Sequence, residues 1–356
     1  MLNRTSPMKC ISALVVCYLA VGLSCQAQAG QADEQRLYRM AMEHIGEYPA
    51  DQQAYVKAKG LIRQLGAINQ KSPLTYVAAG RLIYESAYIG GHEIEPEALR
   101  RARNLFSMAM RLDPRFLDAY IYTTYVCLFE NKIAEARIIA QQAANIAQDS
   151  AQVAMLYGQI AMSENNVQEV EERAIAVLRD SRDKMLIRQS HIMLRWVFEN
   201  RERYDLAEKE YQILIQLQPT SPWPKSGYSQ FLTEHGRYVE AIDQAQQALA
   251  IMNYGMAHLA LGEAHYWRGV ELLWTHKQHQ KAEPHFEKAI LHDPTNANAH
   301  YGLGSVYLFY GYDHRNLAEL RMAEKEYLKT IEMKPDHEQA RGSLQQVRQY
   351  LEAFRK

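Results

Sequence analysis

The sequence predicts an all-α solenoid of about eight helix-turn-helix units with a capping helix at its C-terminal end. Three observations predict it. Tyr204, Ala207, Tyr211, Leu214 and Pro219 are spaced so that the first four share one helical face and the proline ends it. Moved on by 34 residues, the same positions read Tyr238, Ala241, Ala245, Ala248 and Asn253, and a fixed period of that size marks stacked repeats. From Glu34 onward the text is helix after helix, with few of the alternating runs that specify strands.

The units follow in order. Residues 34–70 read as a first helical hairpin whose match to the pattern is weak, as terminal repeats often are. In 73–114, Ala79-Gly80 lies mid-helix and Ala102, Phe106, Ala109 and Pro114 form the closing helix. Ala136, Ala140 and Ala143 carry 117–148, which has no closing proline, and Gly158 is the one marker kept in 151–180. The unit 185–219 ends in the opening stretch, and 222–253 follows it. Leu261-Gly262 with Ala282, Phe286, Ala289 and Pro294 define 255–294. Leu303-Gly304 with Ala323, Tyr327, Thr330 and Pro335 define 297–335. Residues 336–356 supply the capping helix that an exposed array end needs.

Proline spacing shows that units two, seven and eight are longer than the others by about seven residues. The excess falls at Gly90–Pro96, Gly269–Gln280 and Gly311–Asn316. Seven residues suffice either for an extra turn on each helix or for a projecting loop.

These residues resemble the tetratricopeptide repeat over roughly 34–335. An early Leu-Gly or Ala-Gly pair, Gly-x-Tyr at the turn, Ala-x3-aromatic-x2-Ala and a closing proline carry the resemblance. It implies a superhelix in which small residues such as Gly262, Gly304, Ala207 and Ala282 let helices approach, while Tyr211, Phe286 and Tyr327 fill the space between neighbours. It further implies that the first helix of each unit lines a concave, protein-binding surface. In that register the inward aromatics are Tyr84, Tyr125, Phe129, Trp196, Trp223, Tyr266, Trp267, Tyr301 and Phe309, residue types that anchor recognition. Family members that clamp a terminal carboxylate do so with lysines and asparagines. Here the matching positions hold Ser226, Gln230, Leu259 and Glu263, so that clamp is missing.

The first 29 residues read as an export signal. Arg4 and Lys9 precede an apolar run from Ile11 to Leu23, and Ala27-Gln28-Ala29 offers a cleavage site. Cys25 leaves open a second reading, a lipoprotein acylated on that cysteine and held at the outer membrane. With the leader removed after Ala29, Cys127 is the only remaining thiol, and its helix-core position predicts an inert one.

A formal net charge of −1 argues against a protein that lives on nucleic-acid phosphates. The sequence has no Walker loop, nucleophile elbow or HExxH, which predicts a non-catalytic protein without a cofactor. Histidines crowd His258 to His314, and His276 and His279 with His285 and His292 raise a small-ligand or metal receptor as the alternative function. The expectation is an exported adaptor of the bacterial cell envelope that binds a protein or peptide client in an aromatic-lined groove. Pilus, secretion, polysaccharide-export or peptidoglycan assembly is what the resemblance implies for its setting.

Overall fold

The computed structural model describes residues 30–46, 52–87 and 96–355. The predicted leader, Cys25 and most of the Gly90–Pro96 insertion lie outside them. The described residues are helical throughout, without a strand, and cluster into two compact units that meet at Glu202 and Arg203. That boundary falls inside the segment 185–219, so its two helices belong to different units.

The first unit contains α1 (30–46), α2 (Gln52–Ile68), α3 (Pro73–Ala87), α4 (Pro96–Leu112) and α5 (Leu117–Phe129). It continues through α6 (Ile133–Ile146), α7 (Ala151–Ser163), α8 (Val167–Asp180) and α9 (Lys184–Asn200). The second unit holds α10 (Tyr204–Leu217), α11 (Trp223–Glu234), α12 (Tyr238–Ile251) and α13 (Gly255–Val270). A π-helical turn, Glu271–Thr275, extends α13 before α14 (His279–His292), α15 (Ala297–Asp313), α16 (Leu317–Met333) and α17 (Glu338–Ala353).

Turns between paired helices reuse one geometry. Asn131, Asn165, Gly236 and Arg315 all have positive φ and sit just past a helix end. The next amide reaches five residues back, as in Lys132 N–H to Cys127 O (2.8 Å), Arg237 to Leu232 (2.9 Å) and Asn316 to Gly311 (2.9 Å). This is the Schellman closure, which satisfies carbonyls that the helix leaves unpaired. Side-chain caps start the following helices: Asn166 accepts from Glu169 N–H and Asp183 from Met185 N–H.

The core is built from alanines and glycines meeting aromatic rings. Ala102, Ala136, Ala207, Ala241, Ala282 and Ala323 are fully buried, as are Phe106, Phe286 and Tyr327. A methyl group on Gly80 would come 2.5 Å from the Phe106 ring, and one on Gly304 would come 2.9 Å from Tyr327. The tightest approach is at Gly302, where a methyl would overlap the Phe286 ring. Gly262 instead faces backbone and side-chain atoms of α14 at Ala289, His292 and Asp293. Cys127 is buried, and burial pushes its thiol up to about 11.

The extra residues of units seven and eight go into the helices. α15 and α16 each run 17 residues, against 12 and 14 for α11 and α12, and only residues 314–316 connect them. In unit seven, α13 and the π turn form one continuous rod. Gln278 N–H closes it on Leu272 O at 2.7 Å. Gly269 and Gly311, read as the starts of insertions, are buried helical positions under Phe286 and Leu320.

Gly302→Ala must push the Phe286 ring out of place and is expected to cost about 1–3 kcal/mol. Gly342→Ala, in α17 with open space around it, should be neutral or stabilising by up to about 1 kcal/mol. Urea unfolding of the two variants, followed by tryptophan fluorescence, checks the contrast.

Candidate functional site

The predicted inward aromatics divide into packed and exposed residues. In the first unit, Tyr84 is half-buried against the cluster of Phe106 and Val126, and Tyr125 bridges that cluster to the one around Cys127 and Ile160. Trp196 is half-buried on the cluster of Met193 and Val197. Phe129, at the end of α5, is exposed.

In the second unit, Trp223 packs edge-on against Tyr254, with ring centroids 4.6 Å apart. Tyr301 lies against Tyr327 (5.7 Å) and His337 (4.8 Å), so its ring faces the neighbouring helices. Tyr266 packs on Trp267 and Phe286. Trp267 and Phe309 remain 41% and 43% exposed. Phe309 carries the His279 imidazole flat on its face at 3.5 Å.

The indole of Trp267 is set among acids. It hydrogen-bonds Glu263, one helical turn earlier on α13, and Glu234 at the end of α11 lies within electrostatic reach. Burial and then Glu234 push the Glu263 carboxyl up, and the Trp267 hydrogen bond opposes them. Two further exposed aromatics escaped the sequence reading. Trp274, in the π turn, is 55% exposed, and Tyr312, tilted against Tyr350 at the end of α15, is 54% exposed. The spacing of seven between Trp267 and Trp274 was the available signal.

A polar node in the first unit was also missed. Arg81 of α3 is buried and donates from Nη1 to the Met42 carbonyl near the end of α1 (3.1 Å). Its guanidinium lies over the Tyr122 ring of α5 at 5.3 Å, and Glu85 approaches its Nε at 3.7 Å. Nη2 reaches the Met185 sulfur of α9 at 3.8 Å, so one side chain touches four helices separated by up to 104 residues. Burial raises the Glu85 carboxyl despite Arg81 and Arg188 beside it. Burial likewise raises Asp118, which accepts the Tyr38 hydroxyl at 2.6 Å. In sequence Arg81 is a lone cation in a helix, and nothing local to it shows the convergence.

An open cleft of about 1070 Å³ lies along α6, α7 and α8. Its polar lining is internally engaged: Arg173 sits over Tyr157 at 5.3 Å, and Tyr157 donates to Gln141.

The histidines of the proposed receptor do not converge. His276 is exposed near Glu271 at 3.5 Å, His279 stacks on Phe309, and His285 and His292 face α13. No group of three or more His, Cys, Asp or Glu with metal-binding geometry occurs among the described residues. No helix among them is long and apolar enough to cross a membrane.

No family model and no curated protein matches the sequence. Solved structures do resemble its fold. A chain of the APC/C hetero-tetramer Cut9–Hcn1 aligns with 82% of this chain and 52% of its own length, at 15% identity and TM-score 0.53. The human IFIT1 dimer with m7Gppp-AAAA aligns with 85% of this chain and 68% of its own, at 15% identity and TM-score 0.55. A tetratricopeptide repeat protein from Parabacteroides merdae aligns with 76% of this chain at 14% identity and TM-score 0.39. The chain thus spans about half the length of the first of these, and likeness at such identities speaks of fold alone.

Arg81→Leu leaves half-buried Glu85 with Arg188 alone as its cation and removes the bond to Met42. A loss of about 3 kcal/mol is expected. Urea unfolding followed at Trp196, the only tryptophan of the first unit, with Trp223, Trp267 and Trp274 replaced by phenylalanine, measures it.

Proposed function

From a chain that has the tetratricopeptide-repeat fold, we propose an exported adaptor that binds a protein or peptide client in the bacterial cell envelope. The observation that carries this reading is the set of large aromatics left exposed on the second unit. Trp267 and Phe309 lie on α13 and α15, and Trp274 on the π turn. Large rings are costly to leave in water, and rigid rings on a fixed scaffold are the usual anchors of protein recognition.

The chemistry of the surface favours a client over a reactant. Trp267 offers an apolar face beside Glu263 and Glu234, which suits a segment with an apolar anchor and a basic neighbour. Six of the nine expected anchors are half-buried, and some of them serve the fold itself. Tyr301 and Trp223 hold neighbouring helices together, and Tyr125 bridges two core clusters. Binding by such a surface is passive and needs no cofactor.

Trp267→Ala combined with Phe309→Ala is expected to abolish capture of envelope proteins in a crosslinked pull-down and leave helical circular dichroism unchanged. Undiminished capture would overturn the assignment of this face.

Export rests on the residues of the leader alone. Mass spectrometry of the mature protein should find Gly30 at the N-terminus. A diacylated Cys25 would instead place the adaptor on a membrane.

A further inference from the structure

The seam between α13 and α14 is lined by imidazoles. His258 and His265 lie seven residues apart on α13, and His285 and His292 lie seven apart on α14. Seven residues are close to two helical turns, so each pair shares one face. The faces meet. His258 Nδ1 stands 2.9 Å from His292 Nδ1, and His265 Nδ1 stands 2.9 Å from His285 Nδ1. The rings of His265 and His292 are parallel within 6°, with centroids 6.4 Å apart, which joins the pairs into one row.

At 2.9 Å two imidazole nitrogens form an N–H···N hydrogen bond, with one ring donating and the other accepting. Asn253 Oδ1 accepts from His258 Nε2. The neutral His258 ring therefore has its lone pair on Nδ1, and His292 Nδ1–H donates to it. A pair doubly protonated would bring two N–H groups face to face at the same distance, so the second proton breaks the bond.

The charged surroundings offer a proton no compensation. Lys288 of α14 and Arg268 of α13 are the side-chain cations that act on His265, His285 and His292, and Arg268 is paired with Glu271. The nearest carboxylate past the end of α14, Asp293, accepts from the backbone and hydroxyl of Thr295. Neither α11, α12 nor α15 makes a hydrogen bond or ion pair to any of the four rings. Burial lowers His265 to about 3, with His285, Lys288 and His292 adding to the effect. His285 is lowered by burial, then Arg268 and Lys288; His292 is lowered by burial, then His258 and Lys288.

We propose that this histidine row is a pH-operated latch, closed when His265, His285 and His292 are neutral and opened by mild acid, which parts α13 from α14. The sign follows from linkage. A histidine lowered in the closed state binds its proton more readily in the open one. Closure is therefore fully favoured above about pH 6.5 and weakens as pH falls from there toward the lowered values. Each such ring shifts the balance toward opening by about tenfold per pH unit in that window. Because α13 carries Trp267 and leads into the π turn, opening disturbs the surface proposed to hold the client. That consequence rests on the adaptor reading; the latch itself does not.

Hydrogen–deuterium exchange of the whole chain, with labelling times corrected for the pH dependence of intrinsic exchange, tests the latch without a client. Between pH 6.5 and 5.5, peptides of α13 and α14 should lose at least about tenfold protection. The α5–α6 hairpin, which contains no histidine, should not change. In the double variant His265→Gln/His285→Gln, whose amides can hydrogen-bond without titrating, the loss should shrink by about tenfold or more. Equal loss in variant and parent, or parallel loss in α5–α6, would overturn the proposal. Imidazole C–H titrations of the parent protein give a readout that needs no variant. Ordinary midpoints for His265 and His285, with α13 and α14 still protected, would overturn it as well.

Discussion

The contact on which the rest of the fold depends is a large ring seated over a glycine on the neighbouring helix. Phe106 over Gly80, Phe286 over Gly302 and Tyr327 over Gly304 repeat it in both units. An exposed glycine inside a helix costs about 1 kcal/mol relative to alanine. Each of these glycines offsets that cost by letting a neighbour bury an entire ring at full packing density. Phe286 shows how demanding the arrangement is, since Gly269 on α13 and Gly302 on α15 flank it from two helices. Helix separation, and with it the presentation of every outward residue of α13 and α15, is set by these contacts.

Once that spacing is fixed, surplus chain has few places to go. Units seven and eight absorb theirs along the helix axis, because an added helical turn keeps every backbone group paired and a loop does not. The surplus of about seven residues is close to two helical turns, which a helix pair can take up along its axis. In α15 and α16 it is shared between two helices of 17 residues. In unit seven it appears as the π turn Glu271–Thr275, where the wider winding holds Leu272 and Leu273 in the core and turns Trp274 outward. The insertion is thus helical, and it adds exposed Trp274 to the rod that also carries Trp267.

The fold was legible because small-residue and aromatic positions recur at fixed offsets, which is a local signal. Phe286 and Tyr327 stood out as gap-fillers for that reason, and both are fully buried. Gly302 did not stand out, although it makes the closest approach, because the Leu303-Gly304 pair drew the register. The site was legible only in part. Inward-facing and inter-helix positions lie less than half a turn apart, and both recur every three or four residues. Periodicity could not separate Trp267 and Phe309, which are exposed, from Tyr301 and Trp223, which are held in ring contacts. Arg81 and the histidine row depend on residues brought together from distant turns. For the histidines a cue existed in the matching sevenfold spacing, but proximity in sequence favoured His276 and His279 instead.

The two polar assemblies sit differently in their units. Around Arg81, cation, carboxylates and phenols are mixed, so burial is partly offset by opposite charge and by the Tyr122 face. The α13–α14 seam has one kind of group, which is neutral only below a certain proton concentration. An apolar seam of leucines and alanines would pack with greater stability at every pH. Accepting four imidazoles there costs stability in acid and gives the seam two states, while the glycine-and-ring contacts of α15 and α16 hold their own hairpin. A helix that shows Trp267 on one side and His265 on another ties the geometry of the exposed surface to the protonation of the seam. In the α15–α16 seam, by contrast, buried His300 faces the acid Glu326 at 2.6 Å instead of a second imidazole.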